Sequence, residues 1–545
     1  MPTVSRLLYA LVAALTTLFT ARTALHLFQL ESYQYQGYWR SFKARAVDAV
    51  LPGAISAAVN TLLLGFLTWM INTLASRSGA DIPLWTDLLW LVGVSVVCCA
   101  IAYFILQIIK KKPQKKAYVV TDRVKRQMKA FAATTFCAAL LVSFIPGLVA
   151  VPLVFPIFGF ALLPLAAALI KPTEDKINQG FVDDAKRILL ERTDLIKIGI
   201  TGSFGKTSTK FFLAKILSEK FNVLATQGNF NVPLGVTRVV REQLMPEHQV
   251  FISEMGARHT GEIKELCELV RPKYGILTSV GNQHLETFKS QENITNTKYE
   301  LAESLPADGA IVFASDNGGI VDGLYEKTNK PKKYLSGSDK PNIGAKANNL
   351  ENGVWGSKFE LELPDGKKKV CETKLLGSHN IGNLLAASTL AFELGLTIDE
   401  IASGISKVES VEHRLQIIDT HGGATVIDDA YNANPVGVRA ALDVLSKFPK
   451  RRVIVTPGMV ELGEAQEREN KAFGEYMKDR ADEVIIVGST NADAISAGLK
   501  EAGFAEPSVH NARNLDEAQE IIKKLGVHKG ETILFENDLP ENYRE

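Results

Sequence analysis

Five apolar stretches crowd the first third of the chain, at residues 7–28, 50–74, 88–109, 130–150 and 151–170. Each is close to the roughly 20 residues a helix needs to cross the hydrocarbon core of a bilayer. Backbone groups in lipid must be satisfied within the segment, so the pattern predicts about five membrane-spanning helices over residues 1–170. The last two stretches are parted only by the region of Pro146, Pro152 and Pro156, which allows either two spans or a shorter hairpin. A cleaved signal peptide at residues 1–28 is the weaker reading, because Arg22 and His26 interrupt its end and further apolar runs follow.

Orientation is read from basic residues, which gather in short cytoplasmic loops. Between residues 110 and 129 stand Lys110, Lys111, Lys112, Lys115, Lys116, Arg123, Lys125, Arg126 and Lys129, against a single acid, Asp122. This loop is expected on the cytoplasmic side, with Arg40, Lys43 and Arg45 on the same side. Five spans then return the chain to the cytoplasm at Lys171, whereas four would place the basic loop and the remainder on opposite sides. Tyr33, Tyr35, Tyr38 and Trp39 suit the headgroup zone. The basic loop also suits contact with anionic membrane lipid.

The remaining residues have a different composition, with charged and apolar residues mixed as in a soluble globular protein. A length of 545 residues is enough for three or four units. A formal charge of +1 gives no overall attraction to nucleic acid, and no nucleic-acid partner is expected. Cys98, Cys99 and Cys137 lie in apolar runs while Cys267 and Cys371 are isolated, so there is no disulfide framework or CxxC pair. That usage fits a reducing compartment.

After a polar, helix-like stretch (174–192), the run IKIGI reads as a buried strand leading directly into TGSFGKTSTKFFLAKIL. Strand, glycine turn and helix make a cradle for phosphate. Gly202 and Gly205 allow the turn, Lys206 supplies a cation and Thr207 a magnesium ligand, with Thr201, Ser203 and Ser208 lining the loop. The full GxxxxGK[ST] spacing is not met, because Ile200 stands five residues before Gly205.

Further blocks follow in order: GNFNVPLGVT, FISEMGARHTGEI, TSVGNQHLETF, GSHNIGNLLAA, VIDDAYNANP and PGMVELGEAQE. Together with TGSFGKTS they resemble the motifs of the Mur ligases, in particular the branch that adds D-alanyl-D-alanine in peptidoglycan synthesis. With the apolar stretches supplying a transmembrane helical domain (1–170), the resemblance implies a multidomain chain that continues with an α/β P-loop central ATP-binding domain (171–408) and a smaller Rossmann-like α/β domain (409–545). It also implies ATP and Mg2+ as cofactors, and together with the apolar stretches and the basic loop it gives the expectation of a bacterial cytoplasmic membrane location, with the catalytic domains in the cytoplasm.

A carboxylate does not react with an amine at neutral pH until its oxygen becomes a leaving group. Transfer of the γ-phosphoryl group of ATP solves this by making an acyl phosphate, so the site needs cations and positioning more than a protein nucleophile. Glu254 ends the apolar run VFIS, where a strand would deliver a hard oxygen ligand at the sheet's carboxyl edge. The resemblance implies that Glu254 and His284, with Thr207, hold magnesium. It places Lys298 where several Mur ligases carry a carbamate, the alternative being an ordinary exposed helical lysine. Asn380 and Asn383 correspond to asparagines that face adenine, helix capping being the alternative for Asn380. Arg414 matches an interdomain arginine that reaches phosphate, although the usual glycine beside it is His413 here. Asp429, Tyr431, Asn432 and Asn434 form a block expected to face ATP and the incoming amine, with turn formation as the alternative for the asparagines.

Two departures bear on substrate. Membrane stretches stand where the family has its uridine-nucleotide domain. Near the C-terminus ETILFENDLPENY replaces the basic VLVKGSRS loop, putting Glu536 and Asp538 in place of Lys and Arg. The leading expectation is ligation of D-alanyl-D-alanine, or another amino acid or dipeptide, to a nucleotide- or lipid-linked cell-wall precursor peptide. The rivals are a ligase for a poly-amino-acid or another glycopolymer, and a transporter or scaffold whose ATPase-like domain no longer ligates.

Overall fold

A computed structural model describes residues 3–31, 33–78, 118–148, 151–228, 230–281, 283, 285–418, 423–431 and 433–538. The chain divides into two compact units, Met1–Asn178 and Gln179–Glu545.

The first unit is helical: Thr3–Thr20, Arg22–Leu30, Tyr35–Ala44, Ala46–Ser78, Asp122–Ser143, a 3-10 segment Val151–Phe158, and the first part of the helix Gly159–Glu191. Among the described residues two helical segments, Ala46–Leu63 and Val151–Glu191, are long and apolar enough to cross a membrane. Tyr9–Thr20 with Arg22–Leu30 makes a third only if the pair, bent by 52°, is one span. The expected stretch 88–109 and the basic residues 110–116 lie outside the described residues, so the expectation of five spans is not tested. The first stretch bends where threonine hydroxyls compete for helix carbonyls: Thr16 donates to Val12 (2.7 Å) and Thr20 to Thr16 (2.9 Å). The fourth stretch is taken up by a helix that begins in the polar turn at Asp122 and ends at Ser143. The fifth does not stop at residue 170 but runs on in one helix to Glu191.

Tyr38 is fully buried, packed on Phe28 and Phe42 and donating its hydroxyl to the Phe160 carbonyl (2.7 Å). The buried Glu174 accepts both nitrogens of a fork from Arg126 (2.5 and 2.8 Å). Arg123 stands 3.8 Å away, over the Tyr33 ring.

The second unit holds two parallel-rich sheets. Strands β1 (Ile196–Thr201), β2 (Val223–Ala225), β3 (Val250–Glu254), β4 (Tyr274–Leu277), β5 (Ala310–Ala314) and β6 (Lys332–Ser336) form an all-parallel sheet in the order β2-β3-β1-β4-β5-β6. All five residues of β3 are buried, as a strand covered on both faces requires. Val250 and Ile252 pack toward the helices Lys206–Leu217 and Ser378–Glu393, and the intervening Phe251 toward Glu262–Val270 and Gln291–Ser304. Each such fully buried side chain contributes about 1.5–3 kcal/mol. The segment 337–374 carries a small antiparallel sheet of β7 (Lys346–Asn352), β8 (Ser357–Glu362) and β9 (Lys368–Thr373).

The second sheet joins β10 (Gln416–Ile418), β11 (Thr425–Asp429), β12 (Arg452–Thr456), β13 (Glu483–Val487), β14 (Val509–Ala512) and β15 (Thr532–Glu536) in the order β10-β11-β15-β12-β13-β14. Only its β10–β11 pair is antiparallel. In both sheets strand order reverses beside a central strand, and the crevice outside the carboxyl ends there is where an α/β fold receives ligands.

Candidate active site

β1 is the central strand of the first sheet and runs out at Thr201 into the glycine turn. Gly202 has φ +150°, and a Cβ there would lie 2.1 Å from the Thr278 hydroxyl. Gly205 has φ +80° and caps the helix Lys206–Leu217; a Cβ there would lie 2.4 Å from Asn383 Oδ1. Both positions therefore exclude a side chain on backbone and steric grounds.

The loop is held from the end of β4. Ser203 N–H donates to the Ser279 carbonyl (2.8 Å) and Phe204 N–H to the Ser279 hydroxyl (2.7 Å). The Thr278 and Ser279 hydroxyls donate to the Phe204 carbonyl. Ser203 Oγ donates to the Gly281 carbonyl (3.0 Å), and Thr201 Oγ1 to that of Met255 (3.0 Å). Thr201 and Ser203 thus use their side chains within the protein, and Ser208 is buried. The face offered to an anion is the N-terminal turn of the helix, whose first amides have no intrahelical acceptor and whose dipole favours negative charge.

Three cations surround that turn. Lys206 curls back so that Nζ donates to the carbonyls of Gly202 (2.7 Å) and Ser203 (3.0 Å). Burial, resisted by Glu254 and reinforced by Arg414, brings its amine down to about 8. Lys210, one helical turn on, is completely buried and donates to the Gly228 carbonyl (2.8 Å) and to Glu254 Oε2 (2.9 Å). Arg414 brings Nη2 to 3.4 Å from Thr207 Oγ1 and lays its guanidinium 4.6 Å over the Tyr431 ring.

Glu254 closes β3, its Oε1 accepting from Asn231 Nδ2 (3.1 Å) and its amide donating to Thr226 (3.0 Å). Burial opposes its ionisation, but the charges of Lys210 and Lys206 outweigh it and hold the carboxyl below its ordinary value. Lys298 is buried, not exposed, with Nζ 5.8 Å from the centre of the Phe288 ring. Desolvation, with the charge of Lys206 next, pulls its amine down to about 7.

Asn380 lies inside the first turn of Ser378–Glu393, where Gly377 is the cap, and donates to the Leu376 carbonyl (2.9 Å). Asn383 meets the glycine turn at Gly205. His413 adopts φ +60°, a conformation that favours glycine, and is tied by Nδ1 to Asp428 (2.7 Å). Asp429, last in β11, accepts the Leu415 amide (3.1 Å). Asn434 caps the helix Pro435–Leu445 through the amides of Val436 and Gly437, so turn formation accounts for it. His284 and Asn432 lie outside the described residues. Among the described residues no three His, Cys, Asp or Glu side chains gather into a metal cage.

Sequence reading missed Lys210, Asn231, Thr278 and Ser279. Lys210 carried one signal: it follows Lys206 by four residues and so shares its face of the helix. The others lie within two of the blocks quoted above, GNFNVPLGVT and TSVGNQHLETF, but their contacts to Glu254 and to the glycine turn run between strands and do not show in the blocks themselves.

The Mur ligase middle domain matches residues 200–391, and the Mur ligase glutamate ligase domain matches residues 413–536. A UDP-N-acetylmuramoyl-tripeptide–D-alanyl-D-alanine ligase of Escherichia coli K12 is 34% identical over 306 residues, 56% of this chain and 67% of that protein. The enzyme of the same name from Bacillus subtilis 168 is 29% identical over 342 residues, 62% of this chain and 72% of that protein. A crystal structure of MurF from Acinetobacter baumannii superposes with a TM-score of 0.59 at 27% identity, covering 66% of this chain and 78% of that one. An ADP complex of MurF from Thermotoga maritima shares the fold, with a TM-score of 0.58 at 23% identity over 66% of this chain and 80% of that one. The chain belongs to the Mur ligase family and is an ATP-dependent acid–amine (peptide) ligase.

Proposed function

We propose that the protein joins D-alanyl-D-alanine, or a similar amine, to the terminal carboxylate of a cell-wall precursor peptide through an acyl phosphate. The observation that carries this reading is the meeting of Arg414, from the second domain, with Thr207 at the head of the phosphate-loop helix. A planar cation supplied across the domain boundary fits the need to spread charge on a phosphoryl group in transit.

ATP would lie with its phosphates on the helix N-terminus at Gly205, Lys206 and Thr207, and Ser208 would support that turn. The close fit of Asn383 at Gly205 argues that Asn383 reaches the nucleotide through the loop, and Asn380 braces the helix that carries it. Thr207 and Glu254 offer the hydroxyl and carboxylate oxygens that Mg2+ prefers, and His284 is proposed as their companion. When bound, the ion would neutralise phosphate charge. Lys210 holds Glu254 ionised and oriented. Asp429 and Asn432 are proposed at the nucleotide and the incoming amine.

Lys298 is proposed as a carbamate. That modification needs an unprotonated amine to take up carbon dioxide, and burial keeps much of this one neutral near pH 7. The product would be an anion close enough to Lys206 to interact with it.

We further place the enzyme at the bacterial cytoplasmic membrane, with its ligase domains on the cytoplasmic side. The helices Ala46–Ser78 and Gly159–Glu191 support this. They also favour a second reading of the acceptor, a lipid-linked rather than a nucleotide-linked peptide. Mass spectrometry of products from ATP, a panel of amines, and UDP-linked or polyprenyl-linked muramoyl peptides tests the assignment. An amide product whose formation tracks ADP release is expected, and ADP release without amide in every combination counts against it.

A further inference from the structure

Arg414 reaches Thr207 from a stretch of backbone that side chains rarely adopt. His413 before it has φ +60° and Leu415 after it φ +45°, both in the left-handed region where a Cβ crowds the backbone. Glycine would take up either conformation without strain. Strained residues on both flanks of one arginine persist only where the surrounding structure holds them. Released, the turn would relax and carry the guanidinium away from the phosphate loop.

The hold comes from β11 and the residues that follow it. Leu415 is buried in the core of the second ligase domain, and its amide donates to Asp429 Oδ1 (3.1 Å). The His413 carbonyl accepts from the Tyr431 amide (3.2 Å), and the Arg414 amide donates to the Val411 carbonyl (3.0 Å). Gln416 pairs with Asp428 across the β10–β11 ladder, and its Oε1 accepts from the His413 amide (3.4 Å). Each of these bonds uses the backbone of residues 413–415 and would form whatever side chain stood at 413. The His413 ring adds a tie of its own, with Nδ1 2.7 Å from Asp428 Oδ2. A carboxylate only accepts, so Nδ1 carries the proton and donates. Asp428 is itself fixed, its side chain 13% exposed and its Oδ1 accepting the Ala430 amide (3.0 Å). The other ring nitrogen, Nε2, faces only the exposed Glu412 at 3.7 Å, where water screens the pair.

We propose that His413 and Asp428 are a positioning pair: the bond between them holds the strained turn shut and so aims Arg414 at the terminal phosphate of the nucleotide. A long side chain delivers its charge to one point only when its backbone is fixed, and the Tyr431 ring, 4.6 Å under the guanidinium, steadies the far end. His413 and Asp428 touch neither nucleotide nor substrate and act through Arg414. The inference rests on the ligase reading and goes beyond it in naming the residues that hold its arginine in place.

The test uses the full chain in detergent with Mg2+. Titration calorimetry gives the ratio of the affinity for AMP-PNP, an ATP analogue that keeps the third phosphate, to the affinity for ADP. Hydroxylamine trapping with ATP and either a UDP-linked or a polyprenyl-linked muramoyl tripeptide gives kcat for acyl phosphate formation. H413A is expected to lower the ratio by about fivefold or more and kcat by about tenfold or more, with ADP affinity within about twofold of the wild type. D428A should match H413A, whereas D428N, which keeps an acceptor for the Nδ1 proton, should stay within about threefold of the wild type in both readouts. R414A loses the preference for AMP-PNP by itself, and H413A/R414A should then show the ratio of R414A, because the histidine acts only through the arginine. If H413A lowers the ratio as far in the R414A background as in the wild type, the loss is spread through the fold and the proposal is overturned. A wild-type ratio or a wild-type kcat in H413A overturns it as well. If R414A keeps the wild-type ratio, the role given to Arg414 in the ligase reading fails and this inference falls with it.

Discussion

Replacing Lys210 by Met leaves the Glu254 carboxylate without its cation in a place water does not reach. The pair is 2.9 Å apart, with side-chain exposures of 0% and 2%, so solvent screening is absent. Removing one partner of such a pair costs about 3–5 kcal/mol, while replacing both by apolar side chains of similar volume is close to neutral. For a domain of this size each kcal/mol moves the melting point by about 2–4 °C, so K210M should melt roughly 6–20 °C below the wild type. K210M/E254M should recover most of that loss, giving a coupling of about 3 kcal/mol or more. Scanning calorimetry of the full chain measures this, the ligase-domain transition being the one that rises on adding ADP. If K210M melts within 2 °C of the wild type, or the double variant melts no higher than K210M, the argument for a desolvated pair fails.

Gly205→Ala forces a methyl group to 2.4 Å from Asn383 Oδ1 at a positive φ and should weaken ADP binding at least tenfold by titration calorimetry. An unchanged affinity would show that the loop does not hold the phosphates. E536Q should raise the melting point at pH 8 by more than at pH 5. An acid whose folded-state pKa lies above its unfolded value stabilises through its neutral form, and that contribution is lost as pH rises. Glu536, at the end of β15 beside Asp429, is held well above the ordinary carboxylate range, chiefly by burial. Asp429, lifted from 3.8 to about 6 by burial and, to a smaller extent, by the charge of Asp428, sets the scale at about 1–3 kcal/mol. An equal effect at the two pH values would show that Glu536 is not the strained acid described here. The full chain should stay in the membrane pellet through alkaline carbonate extraction; quantitative release would remove the case for spanning helices.

What was legible in the sequence was whatever one segment states by itself. IKIGI followed by TGSFGKTS announces a strand, a turn and a helix, and VFISE announces a buried strand ending in an acid; both stand as written. Burial of Lys298 left a signal in its helix: Ile294, Leu301 and Ala302 stand four before, three after and four after it and put it on the buried stripe, where a charged residue reads at first as exposed. The pairing of Glu254 with Lys210, and of Asp429 with Glu536, depends on strand register across tens of residues of chain. The apolar stretches did not give the helix bounds. Hydropathy does not register the hydroxyls of Thr16 and Thr20 bending a helix, or a helix that continues past the last apolar residue to Glu191.

The central claim is that the phosphate loop turns a carboxylate into a leaving group. Labelling the acceptor carboxylate with 18O and weighing the phosphate released during amide formation tests it directly. The account predicts one 18O atom carried into each phosphate and loss of both label transfer and amide in Lys206→Ala. Amide formed with unlabelled phosphate would contradict it.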